Sequence, residues 1–359
     1  MKIAIYTPYL DSFGGGERYV LTIAETLSKN HLVDLLVDQH QISLGVGGLK
    51  EELGKRFALD LSQVRITQAP LGKNSTFLER LFFLKKYNLL FYLTDGSIFY
   101  STAKNNILHF QVPFKNTTAK SLWGKLKLSS WRLGICNSKF TQGYINKEWP
   151  IKTTVVYPPV AVDEIKPLEK RKYIVSVGRF TSFTKSKKHE EIIKTFSKLY
   201  KDQKLKDWSL HLAGSVEGDE DYLNGLKKMA NDIPIFFYPN LPFKDLVTLY
   251  GNSSIYWHAA GFGEEDPTKM EHFGITTVEA MAAGCVPVVI NKGGQPEIVE
   301  EGKSGMLWNT LEELEKLTVK LASDAKQISI LSVGAIERSK LYSKDKFEEK
   351  INAFIKSIE

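Results

Sequence analysis

The sequence predicts an α/β protein made of two doubly wound halves. Short apolar runs alternate with segments of helical periodicity, which is typical of a parallel sheet covered on both faces. This alternation stops at Tyr157-Pro158-Pro159 and a charged stretch to Lys172, and it then starts again. A chain of 359 residues is also too long for one ordinary core and suits two domains.

The first half opens on a strand, a glycine loop and a helix. Residues 3–6 are apolar, residues 13–16 form the loop, and apolar side chains recur at helical spacing from Tyr19 to Leu27. Further strands are expected at residues 33–37, 89–93, 106–110 and 133–136. Because open sheets of this kind bind ligands at the carboxyl ends of their strands, two halves facing each other would enclose a cleft.

The second half repeats this design. Its strands are expected at residues 173–177, 209–213, 233–237, 254–257 and 286–290. Residues 311–359 have helical character throughout and contain no expected strand. We therefore predict a first domain at residues 1–160, a second at residues 161–340, and a C-terminal helix in residues 341–359 that returns to the first domain.

The composition describes an ordinary globular protein, with 43% hydrophobic and 25% charged residues. No apolar run approaches the ~20 residues needed to cross a bilayer. The N-terminus reaches Pro8 and Asp11 too soon for a secretory signal. Cys136 and Cys285 lie in apolar contexts far apart, which indicates buried thiols in a reducing compartment. A cytoplasmic protein is expected, with the inner face of the membrane as a possible site of peripheral attachment.

The net charge of +7 is unevenly placed. No acidic residue lies between Asp95 and Glu148, and Trp123 and Trp131 are interleaved with the basic side chains there. The eight basic residues are Lys104, Lys115, Lys120, Lys125, Lys127, Arg132, Lys139 and Lys147. This pattern fits an anionic membrane, with the tryptophans at the headgroup level, or nucleic acid. A solvated basic face is the more common explanation of such a run.

Gly14, Gly15 and Gly16 lie between the first strand and the first helix. Glycine allows the backbone to approach a ligand closely, and a helix N-terminus presents free N–H groups to an anion. No third glycine completes the dinucleotide-binding fingerprint, which disfavours an NAD-dependent dehydrogenase. A tight strand-to-helix turn explains the glycines about as well.

Arg179 ends the first strand of the second half, and Lys185, Lys187 and Lys188 follow within nine residues. A guanidinium at a strand end and a lysine at the next helix start are suited to clamp a diphosphate. For any single lysine, a solvated loop charge is the more common explanation. Arg179 is the more informative residue, because the strand fixes its position.

The stretch KMEHFGITTVEAMAAG, residues 269–284, places Glu271 and Glu279 on either side of Gly274. The glycine favours Glu271 on a loop and Glu279 on the helix that follows, so that both face one ligand. The exposed amides and threonine hydroxyls of that helix start suit a phosphate, and Glu279 can accept two ribose hydroxyls. Glu271 can meet a hydroxylated, partly cationic ring. Two surface glutamates are the alternative explanation.

These residues, taken in order, resemble the retaining nucleotide-sugar glycosyltransferases of family 4, which have the GT-B fold of two Rossmann-like domains. The resemblance rests on the glutamate block at residues 271–284, on Gly178-Arg179, and on a Gly-Gly-x-Glu-Arg start at residues 14–18. It also includes His109 and the segments at residues 155–160 and 293–299. The variant Glu-His-Phe-Gly-Ile at residues 271–275 is similar to that of mannosyltransferases that build lipid-linked oligosaccharides.

The resemblance implies a role for each matching residue. Arg179 and a lysine would hold the donor diphosphate in place of a metal ion, and alignment on the following helix favours Lys187 over Lys185. Glu279 would bind the ribose, Glu271 would lie by the donor sugar, and His109 would lie near the sugar and the acceptor. Contacts to phosphate or sugar would come from Gly15, Gly16, Phe273, Gly274, Ile275 and Thr276.

The implied reaction is retaining transfer of a hexose, with mannose favoured, to a glycan or polyprenyl-linked glycan. The donor would be a nucleotide-diphosphate sugar, with GDP-mannose favoured and a UDP-sugar as the alternative, and no cofactor or metal is expected. Asp219-Glu220-Asp221 matches the Asp-x-Asp of metal-dependent transferases, but we interpret it as charge at a helix start. A sugar-nucleotide epimerase of similar architecture and a non-catalytic basic module are the rival hypotheses, and nucleic acid is not an expected partner.

Overall fold

The computed structural model describes residues 1–8, 10, 14–38, 42, 46–71, 75–116, 119–183, 186–216 and 218–358, with only the backbone of residues 46–48. The chain divides into two compact units. The first comprises Met1–Pro159 with Asp345–Glu359, and the second comprises Val160–Lys344. The predicted second domain and C-terminal segment began at residues 161 and 341, and the corresponding parts of the structure begin at Val160 and Asp345.

The described residues of the first unit form a seven-stranded sheet with the order β3-β2-β1-β4-β5-β6-β7. Its strands are β1 (Lys2–Tyr6), β2 (Leu32–Val37), β3 (Arg65–Gln68), β4 (Leu89–Leu93), β5 (Asn105–Phe110), β6 (Leu133–Cys136) and β7 (Thr153–Val155). Among the described residues its helices before the second unit are α1 (Gly15–Ser28), α2 (Val46–Phe57), α3 (Phe77–Leu84), α4 (Leu122–Ser129) and α5 (Lys139–Glu148). All of these strand pairs are parallel, as the sequence predicted.

The sheet of the first unit is covered on both faces. Ile3 and Ile5 of β1 belong to one buried cluster, whereas Ala4 and Tyr6 belong to another. Because successive side chains of a strand point to opposite faces, the two clusters lie on opposite sides of the sheet. This is the doubly wound arrangement that the alternating apolar runs predicted.

The described residues of the second unit form a six-stranded parallel sheet with the order β10-β9-β8-β11-β12-β13. Its strands are β8 (Arg171–Val177), β9 (Ser209–Gly214), β10 (Ile235–Pro239), β11 (Ser253–His258), β12 (Val286–Ile290) and β13 (Met306–Trp308). Its helices are α6 (His189–Lys201), α7 (Glu220–Met229), α8 (Phe243–Asn252), α9 (Ile275–Ala282), α10 (Gln295–Ile298), α11 (Leu311–Ala322) and α12 (Ala325–Ser339). None of the helices formed by the described residues is long and apolar enough to cross a membrane.

The last helix, α13 (Lys344–Lys356), packs on the first unit. Phe347, Ile351 and Ile355 are buried in the cluster that also holds Ile3 and Ile5. The Phe347 ring meets the ring of Tyr19 edge-on, with 4.9 Å between centroids. These apolar residues at helical spacing explain why the chain returns to its first unit after completing its second.

Three strands and one tryptophan differ from the predictions. Strands β3, β7 and β13 have only three or four residues, too few for a clear apolar pattern.

Trp131 was expected at a membrane headgroup level, which is wrong because its side chain is buried. Its indole N–H donates a 2.8 Å hydrogen bond to the carbonyl oxygen of Phe99, and its ring packs edge-on against the Phe99 ring.

Both sheets have a point where the strand order reverses: between β1 and β4 in the first unit, and between β8 and β11 in the second. Open α/β sheets place their ligand sites beyond the carboxyl ends of the strands at such a point. In the first unit Gly14 to Gly16 follow β1. In the second unit Gly178 and Arg179 follow β8, and His258 closes β11. The topology therefore directs attention to these residues.

Candidate active site

Arg179 stands directly beyond the carboxyl end of β8, and its side chain is exposed. Among the described residues its guanidinium has no ion-pair or hydrogen-bond partner. The backbone around it is fixed, since the Gly178 N–H donates to Ala213 and the Phe180 N–H donates to Ser215. A fixed backbone with a free guanidinium at the switch point is suited to an anionic ligand.

Lys187 and Glu271 form an ion pair with 2.6 Å between Nζ and Oε2. The lysine stem reaches this position by crossing Gly178. A methyl group at residue 178 would lie 2.6 Å from Cγ of Lys187, closer than two carbon atoms can approach. Glycine before Arg179 therefore allows the lysine to reach the carboxylate. Lys185, the other candidate for the diphosphate lysine, lies outside the described residues.

His258 approaches the same carboxylate oxygen, with 3.1 Å between its Nε2 and Oε2 of Glu271. An ionised carboxylate can only accept, so Nε2 carries the proton in this contact. The other ring nitrogen, Nδ1, is buried and has no hydrogen-bond partner among the described residues. With the proton on Nε2, the atom without a partner among the described residues is the unprotonated Nδ1. His258 is then a neutral imidazole that donates to Glu271.

The surroundings of Glu271 keep its carboxylate ionised. Burial by itself raises the pKa of Glu271, but the ammonium of Lys187 and the hydrogen bond from His258 together hold that pKa well below its usual value. Burial also lowers the pKa of His258, an effect that Glu271 only partly offsets. The cluster therefore combines a carboxylate, a neutral imidazole and an ammonium group at neutral pH.

Two glycines support the loop that carries Glu271. The Gly294 N–H donates a 2.8 Å hydrogen bond to the Glu271 carbonyl oxygen. A methyl group on Gly293 would lie 2.2 Å from that oxygen, and one on Gly294 would lie 2.6 Å from the carbonyl oxygen of His272. Residues 293 and 294 therefore have no room for a side chain, which explains in physical terms why the Gly-Gly-Gln-Pro-Glu segment accompanies the glutamate block.

Gly274 turns the chain from this loop into α9, with a φ of +118° that favours glycine. Ile275 and Thr276, both half-buried, form the first turn, where amides lack intrahelical acceptors. The Thr276 hydroxyl is 2.9 Å from the hydroxyl of Tyr256 on β11. The helix start is thus held beside the switch point, with free amides available to an anion. Phe273 is buried beneath it, its ring edge-on to Tyr342.

Glu279 lies on α9 and Glu271 on the preceding loop, as predicted. The Glu279 side chain is buried, and its Oε2 accepts a 3.3 Å hydrogen bond from the hydroxyl of Tyr250. Its oxygens are therefore oriented by a neighbouring tyrosine on α8. The structure does not make it a surface glutamate, which was the alternative explanation of the pattern.

The loop between β11 and Glu271 is held by a second ion pair. Lys188 Nζ lies 2.6 Å from Oε1 of Glu264, and Lys292 Nζ donates a 2.8 Å hydrogen bond to the Glu264 carbonyl oxygen. Lys188 itself is the N-cap residue of α6 with a φ of 55°. Lys187 and Lys188 thus have different roles: one reaches the Glu271 cluster, and the other anchors the loop.

In the first unit the glycines open α1, a helix of 14 residues. Gly14 is the N-cap residue, and its N–H donates a 2.7 Å hydrogen bond to Oε2 of the buried Glu17. A methyl group on Gly16 would lie 3.1 Å from the Leu93 side chain at the end of β4. The N–H groups of Gly15 and Gly16 therefore lie at the switch point of this sheet. Phe13, the first residue of the predicted loop, lies outside the described residues.

His109 is fully buried near the end of β5. Its ring stacks on the ring of Tyr19, with 4.0 Å between centroids, and its Nε2 is 2.8 Å from Oε1 of Gln111. Burial, partly offset by Gln111 and by the backbone of Ile135, lowers the pKa of His109 to about 4. The imidazole is therefore neutral at neutral pH, and its Nε2 is engaged by the Gln111 side chain.

Among the described residues no three or more His, Cys, Asp or Glu side chains gather in a way that could hold a metal ion. Asp219 is the N-cap residue of α7, and Glu220 and Asp221 lie in its first turn, as predicted. The Asp219 carboxylate also accepts a hydrogen bond from the Ser182 N–H. These three acids therefore serve the start of a helix and the loop after β8.

The fold is GT-B, and residues 161–327 match the family model described as "Glycosyl transferases group 1". A glycosyltransferase from Rickettsia africae superposes with a TM-score of 0.76 at 17% identity over 99% of this chain and 98% of its own. Anabaena HepE, crystallised with UDP and glucose, superposes with a TM-score of 0.71 at 17% identity over 99% of this chain and 100% of its own. At this identity the likeness concerns the fold. The family model matches a stretch that lies within the second unit and supports a glycosyl transferase domain there.

Curated relatives share the name "GDP-Man:Man(3)GlcNAc(2)-PP-Dol alpha-1,2-mannosyltransferase". The protein from Xenopus laevis is 30% identical over 226 residues, which is 55% of this chain and 44% of that relative. Those from Xenopus tropicalis and Homo sapiens are 33% and 31% identical, over 49% and 44% of this chain and 38% and 34% of their own lengths. The matches therefore span less than half the length of these relatives.

His258 and Gln111 are the site residues that the sequence analysis did not select. Both are polar residues at the carboxyl end of a strand, which is a signal that could have found them. His258 is the last residue of β11, which borders the switch point, and Gln111 directly follows β5, the neighbour of β4. The same rule selected Arg179. The sequence does not show that His258 contacts Glu271, because the two residues are 13 positions apart and a loop separates them.

Proposed function

We propose that this chain transfers a hexose, with mannose favoured, from a nucleotide-diphosphate sugar to a glycan or polyprenyl-linked glycan. GDP-mannose is the favoured donor, because the curated relatives carry it in their name. UDP-sugars are the alternative, because the Anabaena neighbour was crystallised with UDP and glucose. Membership of family 4, retention of configuration and independence from metals are parts of this proposal.

One observation carries the proposal: at the switch point of the second unit, a guanidinium without a partner among the described residues and a paired ammonium group lie near an ionised carboxylate. Arg179 is exposed beyond β8, and Lys187 lies 2.6 Å from Glu271. An incoming diphosphate would compete with Glu271 for Lys187 and would contact Arg179. Two fixed positive groups stabilise the charge that develops on a leaving diphosphate, the role that a divalent ion has in other transferases.

The ionised Glu271 supplies the second part of the proposed mechanism. As the bond between the anomeric carbon and the phosphate oxygen breaks, the sugar ring develops positive charge, which a nearby carboxylate stabilises. The acceptor hydroxyl then bonds to the anomeric carbon on the same face, and its proton passes to the leaving phosphate oxygen. No side-chain nucleophile takes part in this scheme, and the neutral His109 is not required as a base.

The acceptor is proposed to bind the first unit and to be a glycan carried on a lipid. The name of the curated relatives ends in an acceptor written "PP-Dol", which supports a polyprenyl-linked molecule. An enzyme with such an acceptor would work peripherally on the cytoplasmic, inner face of a membrane, on an anionic lipid surface. The basic residues between Asp95 and Glu148 support that location.

The test is a transfer assay with GDP-mannose, UDP-glucose and ADP-glucose, each with and without a polyprenyl-diphosphate-linked glycan. We expect GDP-mannose to give an acceptor-dependent glycolipid whose new linkage has the donor's anomeric configuration by NMR. An epimerase would instead release nucleotide diphosphate with no glycosylated acceptor. Product of inverted configuration would contradict the retaining mechanism while leaving the transferase assignment in place.

A further inference from the structure

We propose that helices α3 and α4 together form the surface by which this protein binds an anionic bilayer. This inference rests on the part of the proposed function that places the protein at a membrane, and it does not depend on the transfer reaction. The surface, called here the α3/α4 surface, is defined by exposed apolar side chains of both helices and by exposed basic side chains on or next to them. Its apolar members are Phe77, Leu78, Phe82, Leu122, Trp123 and Leu126, and its basic members are Lys85, Lys86, Lys120, Lys125 and Lys127.

The apolar side chains are exposed to an extent that is unusual for a folded domain. Phe82 is 76% exposed, Leu122 83% and Trp123 74%. Phe77 and Leu78 at the start of α3 are also more than half exposed. Single exposed apolar residues are normal, but several large ones gathered on two neighbouring helices mark a binding surface.

The two helices lie on the same face of the first unit. Leu84 of α3 and Leu128 of α4 are buried in the same cluster, which also holds Ala4 and Tyr6 of β1. Helices whose buried sides enter one cluster cover one face of the sheet. The exposed sides of α3 and α4 therefore point away from that shared face.

The segment from Phe99 to Thr102 connects the two helices. The Thr102 hydroxyl donates to the carbonyl oxygen of Leu81 on α3, and the guanidinium of Arg80 lies 5.2 Å from the centre of the Phe99 ring. The Ser101 N–H donates a 3.1 Å hydrogen bond to the hydroxyl of Ser130, which directly follows α4. One segment thus braces both helices, so their exposed side chains form one surface and not two separate patches.

Charge complementarity identifies the partner as an anionic lipid surface. The α3/α4 surface carries basic side chains among its apolar ones, and its acidic residue Glu79 is engaged in a capping box with Thr76. Exposed lysines beside tryptophan and phenylalanine are the composition of interfacial membrane-binding helices. A second copy of this chain fits less well, because a symmetric contact would bring the same cations together.

The experiment is co-sedimentation of the full chain with vesicles of phosphatidylcholine alone or of phosphatidylcholine with phosphatidylglycerol, without donor or acceptor. We expect binding only to the anionic vesicles and a loss of binding as salt is raised. Two double variants remove the surface: Phe82→Ser with Trp123→Ser, and Lys125→Glu with Lys127→Glu. Each should weaken binding by about tenfold or more, because the first variant removes apolar side chains that would enter the bilayer and the second replaces cations with anions.

Matched controls change exposed apolar and exposed lysine residues of the second unit: Ile330→Ser with Val333→Ser, and Lys320→Glu with Lys326→Glu. These should bind vesicles like the wild type, and circular dichroism should show every variant folded. Wild-type binding by either α3/α4 variant, or no binding of the wild type to anionic vesicles, would overturn the proposal. A wild-type dimer that the α3/α4 variants dissociate would assign the surface to a second copy instead. Transfer to a detergent-solubilised acceptor, measured in parallel, separates loss of lipid binding from failure of the proposed reaction.

Discussion

Lys187 and Glu271 lie 84 residues apart in sequence and 2.6 Å apart in the structure. The pair joins the loop after β8 to the loop before α9, the two segments that meet beyond the switch point of the second sheet. Its side chains are 25% and 20% exposed, so a ligand can reach both. In the proposed reaction the donor diphosphate competes with Glu271 for Lys187, and the His258 Nε2–H continues to donate to the carboxylate beside the sugar.

Arg179→Ala is expected to reduce transfer strongly without affecting the fold, because the guanidinium is exposed and has no partner among the described residues. Losing a contact to the developing diphosphate charge should cost about 2 to 3 kcal/mol of barrier, near a hundredfold in kcat/KM. The matched control is Arg171→Ala, an exposed arginine at the amino end of the same strand. Equal rates in the two variants would remove Arg179 from the site.

His258 is expected to orient Glu271 through its Nε2–H. Glutamine can place an N–H near the same point, whereas phenylalanine cannot. We expect His258→Phe to lower kcat by about tenfold or more, with a smaller change in KM, and His258→Gln to recover most of that loss. Stopped-flow or steady-state kinetics with the best donor separates the two constants. If both variants behave alike, the hydrogen bond has no role in the reaction.

Gly294→Ala tests the support beneath the Glu271 loop. The added methyl group would lie 2.6 Å from the His272 carbonyl oxygen, so the loop must shift. We expect a fall in kcat/KM of about tenfold or more and a loss of stability of about 1 to 3 kcal/mol. Gly225→Ala on α7 is the control, since its methyl group would meet nothing within 4 Å. That change should leave transfer intact and slightly raise the melting temperature.

Three buried histidines should make the protein less stable as the pH falls. Burial, named first among the causes, lowers the pKa of His109, His189 and His211 to about 4 each. The unfolded chain takes up these protons near pH ~6.5, so between ~6.5 and 4 the unfolded state binds more protons and the free energy of unfolding decreases with decreasing pH. Stability from this source is complete above that window.

The variant His189→Phe keeps the ring that stacks on Phe180 and removes the titrating group. Urea unfolding at several pH values should show a shallower loss of stability for this variant, by up to about 3 kcal/mol across the window. The free energy of unfolding of each protein at neutral pH serves as its own reference, so that only the change with pH is compared. Parallel curves for wild type and variant would show that His189 does not titrate as described.

Most of the fold follows from the sequence because fully buried parallel strands are continuous apolar runs. Residues 89–93, 133–136 and 286–290 were predicted with the bounds that β4, β6 and β12 have. Strands β3 and β13 escaped because one is short and polar and the other has three residues. An apolar pattern can be recognised only over several residues, and these two edge strands are too short to show one.

The site was predictable where a single residue is fixed by a strand or glycine, and not where two distant loops meet. Arg179 and Gly274 belong to the first kind. The His258–Glu271 contact belongs to the second, because only the folded loop brings the imidazole to the carboxylate. Trp131 failed for a related reason: interleaving with lysines suggested exposure, but packing against Phe99 and Tyr92 buries its ring.

The most direct test of the central claim, that cationic side chains neutralise the donor diphosphate, is the rate of transfer from GDP-mannose in saturating EDTA. The wild type should keep its rate, and Arg179→Ala should be about a hundredfold slower with or without the chelator. Added Mg²⁺ or Mn²⁺ should change neither rate appreciably. Complete loss of wild-type transfer in EDTA, restored by Mg²⁺ or Mn²⁺, would contradict the account.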